Sequence, residues 1–279
     1  MEYRTLSNGV KIPMIGMGTF PLVGEQLVDV LKLANDAGYE LYDTAHMYNN
    51  EGDIGVAIRN GFLDRGKALI TSKICSNQYL GRRRYLHLDK QSVAKAYKNS
   101  CKLLGVDSCD IFLLHSPFNR SSKAYKELIS LYEAGRVKAI GVSNFDTKQL
   151  DALYKETGVF PMINQIEVHP YNTMEDIIRY CKDRSIQVEA YSPFGRGNII
   201  PDIMNNARLI EIAQSYNKSV GQVVLRWLVQ QDIVTIARSS NPSRIKENLE
   251  IFDFVLTDDQ MTYISSMNQN KGFGKHFQH

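Results

Sequence analysis

The chain has 279 residues, 43% of them hydrophobic and 23% charged, enough for a large core and ordinary for a globular protein. Its net charge of +3 is too small to point to nucleic acid. No apolar run approaches the ~20 residues of a membrane span, so neither nucleic acid nor membrane is an expected partner. A length prior allows two domains, but α/β barrels fill this length as one. No repeat, linker or composition shift marks a boundary, so one domain over 1–279 is expected. The start, "MEYRTLSNGVKIP", lacks the basic-then-apolar order of a signal peptide. Cys75, Cys101, Cys109 and Cys181 lie far apart with no C-x-x-C pair. Reduced thiols in a cytoplasmic protein are the simplest reading.

In chain order, a short hairpin comes first, Tyr3–Leu6 and Val10–Ile12 around Asn8-Gly9. Eight strands are then predicted: Met14–Gly18, Glu40–Asp43, Leu69–Lys73, Asp110–His115, Val137–Ser143, Ile163–Val168, Gln187–Ser192 and Ile233–Ala237. Between them lie segments of helical periodicity, such as "EQLVDVLKLANDAG", "DKQSVAKAYKNSCKLLG", "SSKAYKELISLYEAG" and "TMEDIIRYCKDRS", several closed by Gly. The alternation fits a parallel (β/α)₈ barrel better than a doubly wound sheet. Arg82-Arg83-Arg84 reads as a solvated loop, and Pro193 to Asn205 as a long irregular loop. Trp227, in "VGQVVLRWLVQQ", reads as core.

Three strands end in an unusual way. At period two, Tyr39-Leu41 leads to Asp43, Leu69-Thr71 to Lys73, and Ile111-Leu113 to His115. A lone Asp at a strand end is often a helix cap, and a lone buried His is often a satisfied core residue. Three such endings at one barrel mouth, where barrel active sites lie, favour chemistry. Asp43 and Lys73 buried together need each other. Tyr48 follows five residues after Asp43. A phenol near pKa 10 gives up its proton poorly, and a nearby ammonium lowers that value. Tyr48–Lys73–Asp43 is therefore expected to be an acid–base chain with a lowered phenol, with His115 holding a carbonyl oxygen. These four residues do not supply a reductant.

"RSSNPSRIKEN" carries a second signal. Pro242 suits a first helical position, capped by Ser240 or Asn241. Arg238 and Arg244 beside a helix N-terminus run against the dipole unless an anion is shared there. The alternative is solvated surface arginines. There is no G-x-G-x-x-G after the first strand; "GMGTFPLVG" has the wrong spacing.

"GYELYDTAHMYNNEGDIG", "ITSKI", "IFLLHSP", "GVSNF", "NQIEVHP" and "IARSSNPSRIKEN" together resemble the aldo-keto reductases, over nearly the whole chain. The resemblance implies a catalytic tetrad of Asp43, Tyr48, Lys73 and His115, reducing aldehydes or ketones with a nicotinamide cofactor. It implies that Ser143, Asn144 and Gln165 hold the carboxamide and that Tyr191 stacks on the ring. Ser192, Pro193, Phe194 and Gly195 would line the pyrophosphate path. The implied cofactor site extends to Gly18, Thr19 and Asp43 at one end, and to Arg238, Ser239, Ser240, Arg244, Glu247 and Asn248 around the 2′-phosphate. On the residues alone, Ser143-Asn144 reads as a helix cap and Tyr191 as core. Arg238 stands where the family usually has Lys, so NADPH is expected, with NADH weaker. Phe20 and Ser116 stand where the family often has Trp. With Tyr48 and His115 they would line a roomier, more polar substrate pocket. The tail after Met267, "NQNKGFGKHFQH", would form only a reduced closing loop. A monomer acting on a small carbonyl compound is expected, with no metal. Two other readings stand beside it: an NADP(H)-binding regulatory or structural protein on the same barrel, and a metal-dependent hydrolase. The latter has only His115, His46 and His169 to offer, without H-x-H or H-E-x-x-H spacing.

Overall fold

A hairpin precedes the barrel, β1 (Tyr3–Thr5) pairing antiparallel with β2 (Lys11–Pro13). The structure is a computed structural model and describes residues 1–75 and 93–272. Arg82-Arg83-Arg84 and the first residues of the expected helix from Asp89 lie outside the described residues. Eight strands follow: β3 (Ile15–Gly18), β4 (Leu41–Asp43), β5 (Leu69–Ile74), β6 (Ile111–Leu114), β7 (Ala139–Ser143), β8 (Ile163–Glu167), β9 (Gln187–Tyr191) and β10 (Val234–Ala237). They close into a barrel in that order, β10 returning to β3, with every neighbouring pair parallel. The expected (β/α)₈ fold is therefore the observed one.

The surrounding helices are α1 (Gly24–Ala37), α2 (Glu51–Arg59), α3 (Val93–Leu104), α4 (Ser121–Glu133), α5 (Thr147–Thr157), α6 (Glu175–Lys182), α7 (Ile199–Met204), α8 (Ala207–Ser215), α9 (Val220–Gln230), α10 (Pro242–Glu247) and α11 (Asp258–Ser266). Their local causes are legible. Leu27, Val30, Leu31 and Ala34 give α1 one buried stripe at helical spacing, and Gly38 ends it at φ +100°. Reciprocal capping boxes start α5 (Asp146 with Gln149), α9 (Ser219 with Gln222) and α11 (Thr257 with Gln260). Trp227 on α9 is fully buried, as expected, and its Nε1 donates to Ser265 Oγ at 3.1 Å.

The stretch expected to be irregular from Pro193 to Asn205 contains α7. Gly195, Gly197 and Pro201 read as loop signals, but Pro201 falls in the helix's first turn, where its missing N–H breaks no bond. The cysteines are free, as expected, and all four are buried; α3 and the residues just before β6 bring Cys101 Sγ to 3.7 Å from Cys109 Sγ.

Both faces of the barrel strands are buried. Outward residues such as Tyr42, Ile70, Phe112 and Ile140 pack under the helices. Inward positions carry Asp43, Lys73, Gln165 and Glu189, which join in one hydrogen-bonded group. A core this polar on its inner layer is built for something other than packing.

Candidate active site

Lys73 is fully buried, and its Nζ lies 2.7 Å from both oxygens of Asp43 and 2.9 Å from the carbonyl of Thr44. Burial pulls the ammonium down, but Asp43 and then Tyr48 outweigh it, and Lys73 ends above its ordinary value. The pair is therefore charged in the interior, with each ion meeting the other directly.

Tyr48 sits on a single 3-10 turn, His46–Tyr48, just after β4. Several buried contacts hold this turn. His46 Nδ1 lies 3.2 Å from Glu51, whose other oxygen accepts from Ser72 Oγ on β5 at 2.6 Å. Asn50, wholly buried, accepts from Thr44 Oγ1 at 2.6 Å and donates to Leu22 O at 3.0 Å. The Tyr48 ring centroid lies 5.2 Å from Lys73 Nζ, 5.6 Å from His115 edge-on, and 5.0 Å from Phe20. The four expected tetrad residues are thus brought together. One expectation is corrected: the phenol is raised above its ordinary value of 10, not lowered. Burial is the larger effect, and Lys73 only opposes it.

His115 is held well below 6.5, first by burial and then by Lys73, so its imidazole is neutral at pH 7. Its Nδ1 is buried without a hydrogen-bond partner among the described residues. A ring proton on Nε2 would leave Nδ1 an unmet acceptor, and a proton on Nδ1 would leave it an unmet donor.

The polar residues on β7, β8 and β9 engage one another. Tyr191 donates its hydroxyl proton to Asn144 Oδ1 at 2.7 Å. Asn144 Nδ2 donates to His115 O at 3.1 Å and Ser143 Oγ at 3.0 Å, and Ser143 Oγ donates to Gln165 O at 2.8 Å. Ser143-Asn144 is not the helix cap, because Asp146 caps α5. Asn144 (φ 64°) and Ser192 (φ 49°) sit in the left-handed region, a strain that clusters at functional sites. Ser192 Oγ accepts from Arg196 Nε at 2.9 Å, and the guanidinium stands 5.3 Å from the Tyr191 ring centroid. Pro193 is buried, Phe194 half-buried, and Gly195 has φ +74°.

At the end of β3, Gly18 pairs with Asp43, and Thr19 donates through both N and Oγ1 to Asp43 O. After β10, Asn241 is the cap of α10, accepting from Arg244 N at 3.1 Å, with Pro242 in the first turn. Ser239 and Asn248 are buried, Glu247 is half-buried, and Arg238, Ser240 and Arg244 are exposed. Among the described residues no carboxylate forms an ion pair with Arg238 or Arg244. Phe20 is 51% exposed beside Tyr48, whereas Ser116 is only 4% exposed, so an indole there would have to displace its neighbours. His169 lies against Glu167 at 3.4 Å, and no group of three metal-ligating side chains occurs among the described residues.

Sequence reasoning missed Glu189, Asn50 and Arg196. Glu189 was findable in principle, since Gln187, Glu189 and Tyr191 fall on the inward face at period two.

Acid–base groups gathered at the strand ends of a closed (β/α)₈ barrel place this chain among the barrel enzymes. A model described as "Aldo/keto reductase family" matches residues 14–269, and the chain belongs to that family, whose members are NAD(P)H-dependent oxidoreductases. It is 42% identical over 276 residues to the uncharacterized oxidoreductase YtbE of Bacillus subtilis (strain 168), covering 97% of this chain and 94% of the relative. It is 36% identical over 271 residues to the glyoxal reductase of the same organism, covering 96% and 94%. Among solved structures, the Bombyx mori aldo-keto reductase in complex with NADP superposes with a TM-score of 0.85 at 31% identity, covering 97% of this chain and 94% of the other.

Proposed function

We propose that this chain reduces aldehydes and ketones to alcohols with NADPH, Tyr48 giving the proton. The observation that carries this reading is a half-buried phenol between a charged Lys73–Asp43 pair and a neutral imidazole. Neutral His115 offers its Nε2–H to the carbonyl oxygen and orients it toward Tyr48 without itself changing charge. As negative charge grows on that oxygen, the Tyr48 proton passes to it, and Lys73 stabilises the phenolate left behind. Asp43 keeps Lys73 charged and in place. The phenol's raised value fits a group that keeps its proton until a carbonyl is positioned.

The residues fit a dinucleotide. Tyr191 is half-buried, not sealed in the core, and among the described residues no donor reaches Gln165 Oε1. Arg238 and Arg244 stand exposed and without a carboxylate, as a 2′-phosphate site requires. Gln165, Asn144 and Ser143 would hold the carboxamide, Tyr191 the ring, and the Ser192–Gly195 turn the pyrophosphate. The bound nicotinamide supplies the hydride that the carbonyl carbon receives. The relative named as a glyoxal reductase favours small, polar aldehydes as substrates. A panel of aldehydes and ketones with NADPH and with NADH, followed at 340 nm, tests the reading. No cofactor oxidation with any carbonyl would overturn it, and equal rates with both cofactors would remove the NADPH preference.

A further inference from the structure

Glu189 is fully buried on β9, and nothing in the acid–base scheme uses it. Its Oε2 accepts from Gln165 Nε2 at 3.0 Å. The same nitrogen donates to Asp43 Oδ2 at 2.8 Å. A primary amide nitrogen carries two hydrogens, and here two carboxyl groups take both. Turning the amide over would set its carbonyl oxygen against Asp43 and Glu189 and leave three acceptors facing one another. The orientation of Gln165 is therefore fixed by its neighbours. Its Oε1 points away from them as an unused acceptor. Asp43 Oδ2, which also receives Lys73 Nζ at 2.7 Å, takes one amide hydrogen, and Glu189 is the acceptor that fixes the second.

Glu189 Oε1 is buried with no hydrogen-bond partner among the described residues. Burial, with Asp43 adding to it, pushes the carboxyl up to about 7, against the pull of the Gln165 hydrogen bond and of Lys73. Oε2 can accept from Gln165 whether or not Oε1 carries a proton.

We propose that Glu189 is a positioning residue for the cofactor: with Asp43 it pins both hydrogens of the Gln165 amide, so that Gln165 meets the nicotinamide carboxamide only as an acceptor. The carboxamide must then present its NH₂ to Gln165, which restricts how the ring can lie. This rests on the reading that Gln165 holds the carboxamide.

The test compares dissociation constants by isothermal titration calorimetry. NADPH and NADH are set against 2′-phospho-ADP-ribose and ADP-ribose, which lack only the nicotinamide. Glu189→Leu removes the acceptor at similar volume. It is expected to raise Kd for NADPH and NADH by the same factor, about tenfold, equivalent to one lost hydrogen bond. Both fragments should bind as they do to wild type. Glu189→Gln keeps an acceptor and is expected to stay within about twofold of wild type for all four ligands. Unchanged NADPH and NADH binding in Glu189→Leu would overturn the inference. So would an equal loss for the fragments, which would mark a fold defect, or a Glu189→Gln loss as large as that of leucine. Should the leucine variant fail to fold, Glu189→Asp carries the same expectation, because it withdraws the acceptor by one methylene and keeps the charge. Wild type that binds neither dinucleotide would overturn the functional reading and this inference together. Binding wild type with indifferent variants overturns the inference alone.

Discussion

Burial holds the Tyr48 proton on, and Lys73 makes its departure possible, so the two residues fail in the same way when changed. Tyr48→Phe keeps the ring beside His115 and Phe20 but removes the proton. Steady-state kcat for a simple aldehyde should fall roughly 10²–10⁴-fold, with dinucleotide binding kept. Lys73→Met, which removes the charge that stabilises the phenolate, should fall comparably. A Tyr48→Phe enzyme with near-normal kcat would remove Tyr48 as the donor. Glu189 gives a different readout. Its carboxyl titrates at about 7 when folded, against 4.5 for the free group. Between those values the folded state holds a proton that the unfolded chain has released, so stability drops as pH rises. The full effect is on the order of 3 kcal/mol. Asp43 and Lys73 are the charged groups that share its surroundings, and the Glu189→Gln variant leaves both in place. Chemical denaturation at pH 5 and pH 8 should therefore show the variant gaining on wild type as pH rises. A constant difference would mean that Glu189 is already ionised at pH 5.

The strands and helices that the sequence made legible are those with one clean period. Leu27, Val30, Leu31 and Ala34 announce α1, and the polar endings Asp43, Lys73 and His115 announce the mouth. Strand β9 is legible as a strand, but Glu189 goes unnoticed on it: Gln187, Glu189 and Tyr191 share the pattern of a solvent face, while Val188 and Ala190 face the helices. Contacts such as Cys101 with Cys109, or Asn50 with Thr44 and Leu22, arise where loops fold back on neighbouring elements and follow no periodic pattern. The Ser192–Gly195 turn joins local pattern to global constraint. A Cβ on Gly195 would lie 2.3 Å from Ile199 Cγ2, and the residue sits at φ +74°. Gly197, at φ +54°, has nothing within 4 Å. Gly195→Ala therefore meets both strain and overlap, about 1–3 kcal/mol beyond Gly197→Ala, which meets strain alone. By thermal denaturation Gly195→Ala should melt several degrees below Gly197→Ala, and it should weaken dinucleotide binding as α7 is pushed away. Equal melting temperatures would show that the turn absorbs the methyl without moving α7.

At the scale of the whole barrel, β10 closes the ring by pairing with both β9 and β3, and α10 packs against α1. A dinucleotide held by Arg238 and Arg244 at one end and by Gln165 and Tyr191 at the other would bridge that seam. A ligand bound only to the folded state stabilises it by RT ln(1 + [L]/Kd), about 2.7 kcal/mol at a hundredfold excess over Kd. NADPH and NADH differ by one phosphate, so at equal concentration NADPH should raise the melting temperature further if the two arginines hold that phosphate. Arg244→Ala removes one charge-assisted partner, worth roughly one to two orders of magnitude in Kd. The NADPH shift should shrink toward the NADH shift, and the NADH shift should stay where it was. Both arginines are exposed, so added salt should narrow the gap between the cofactors in wild type and change little in the variant. Thermal-shift titrations of wild type and Arg244→Ala with both cofactors, at low and high salt, decide the matter. If Arg244→Ala weakens NADPH and NADH alike, Arg244 serves the shared adenosine or the fold, and the 2′-phosphate site loses its main support.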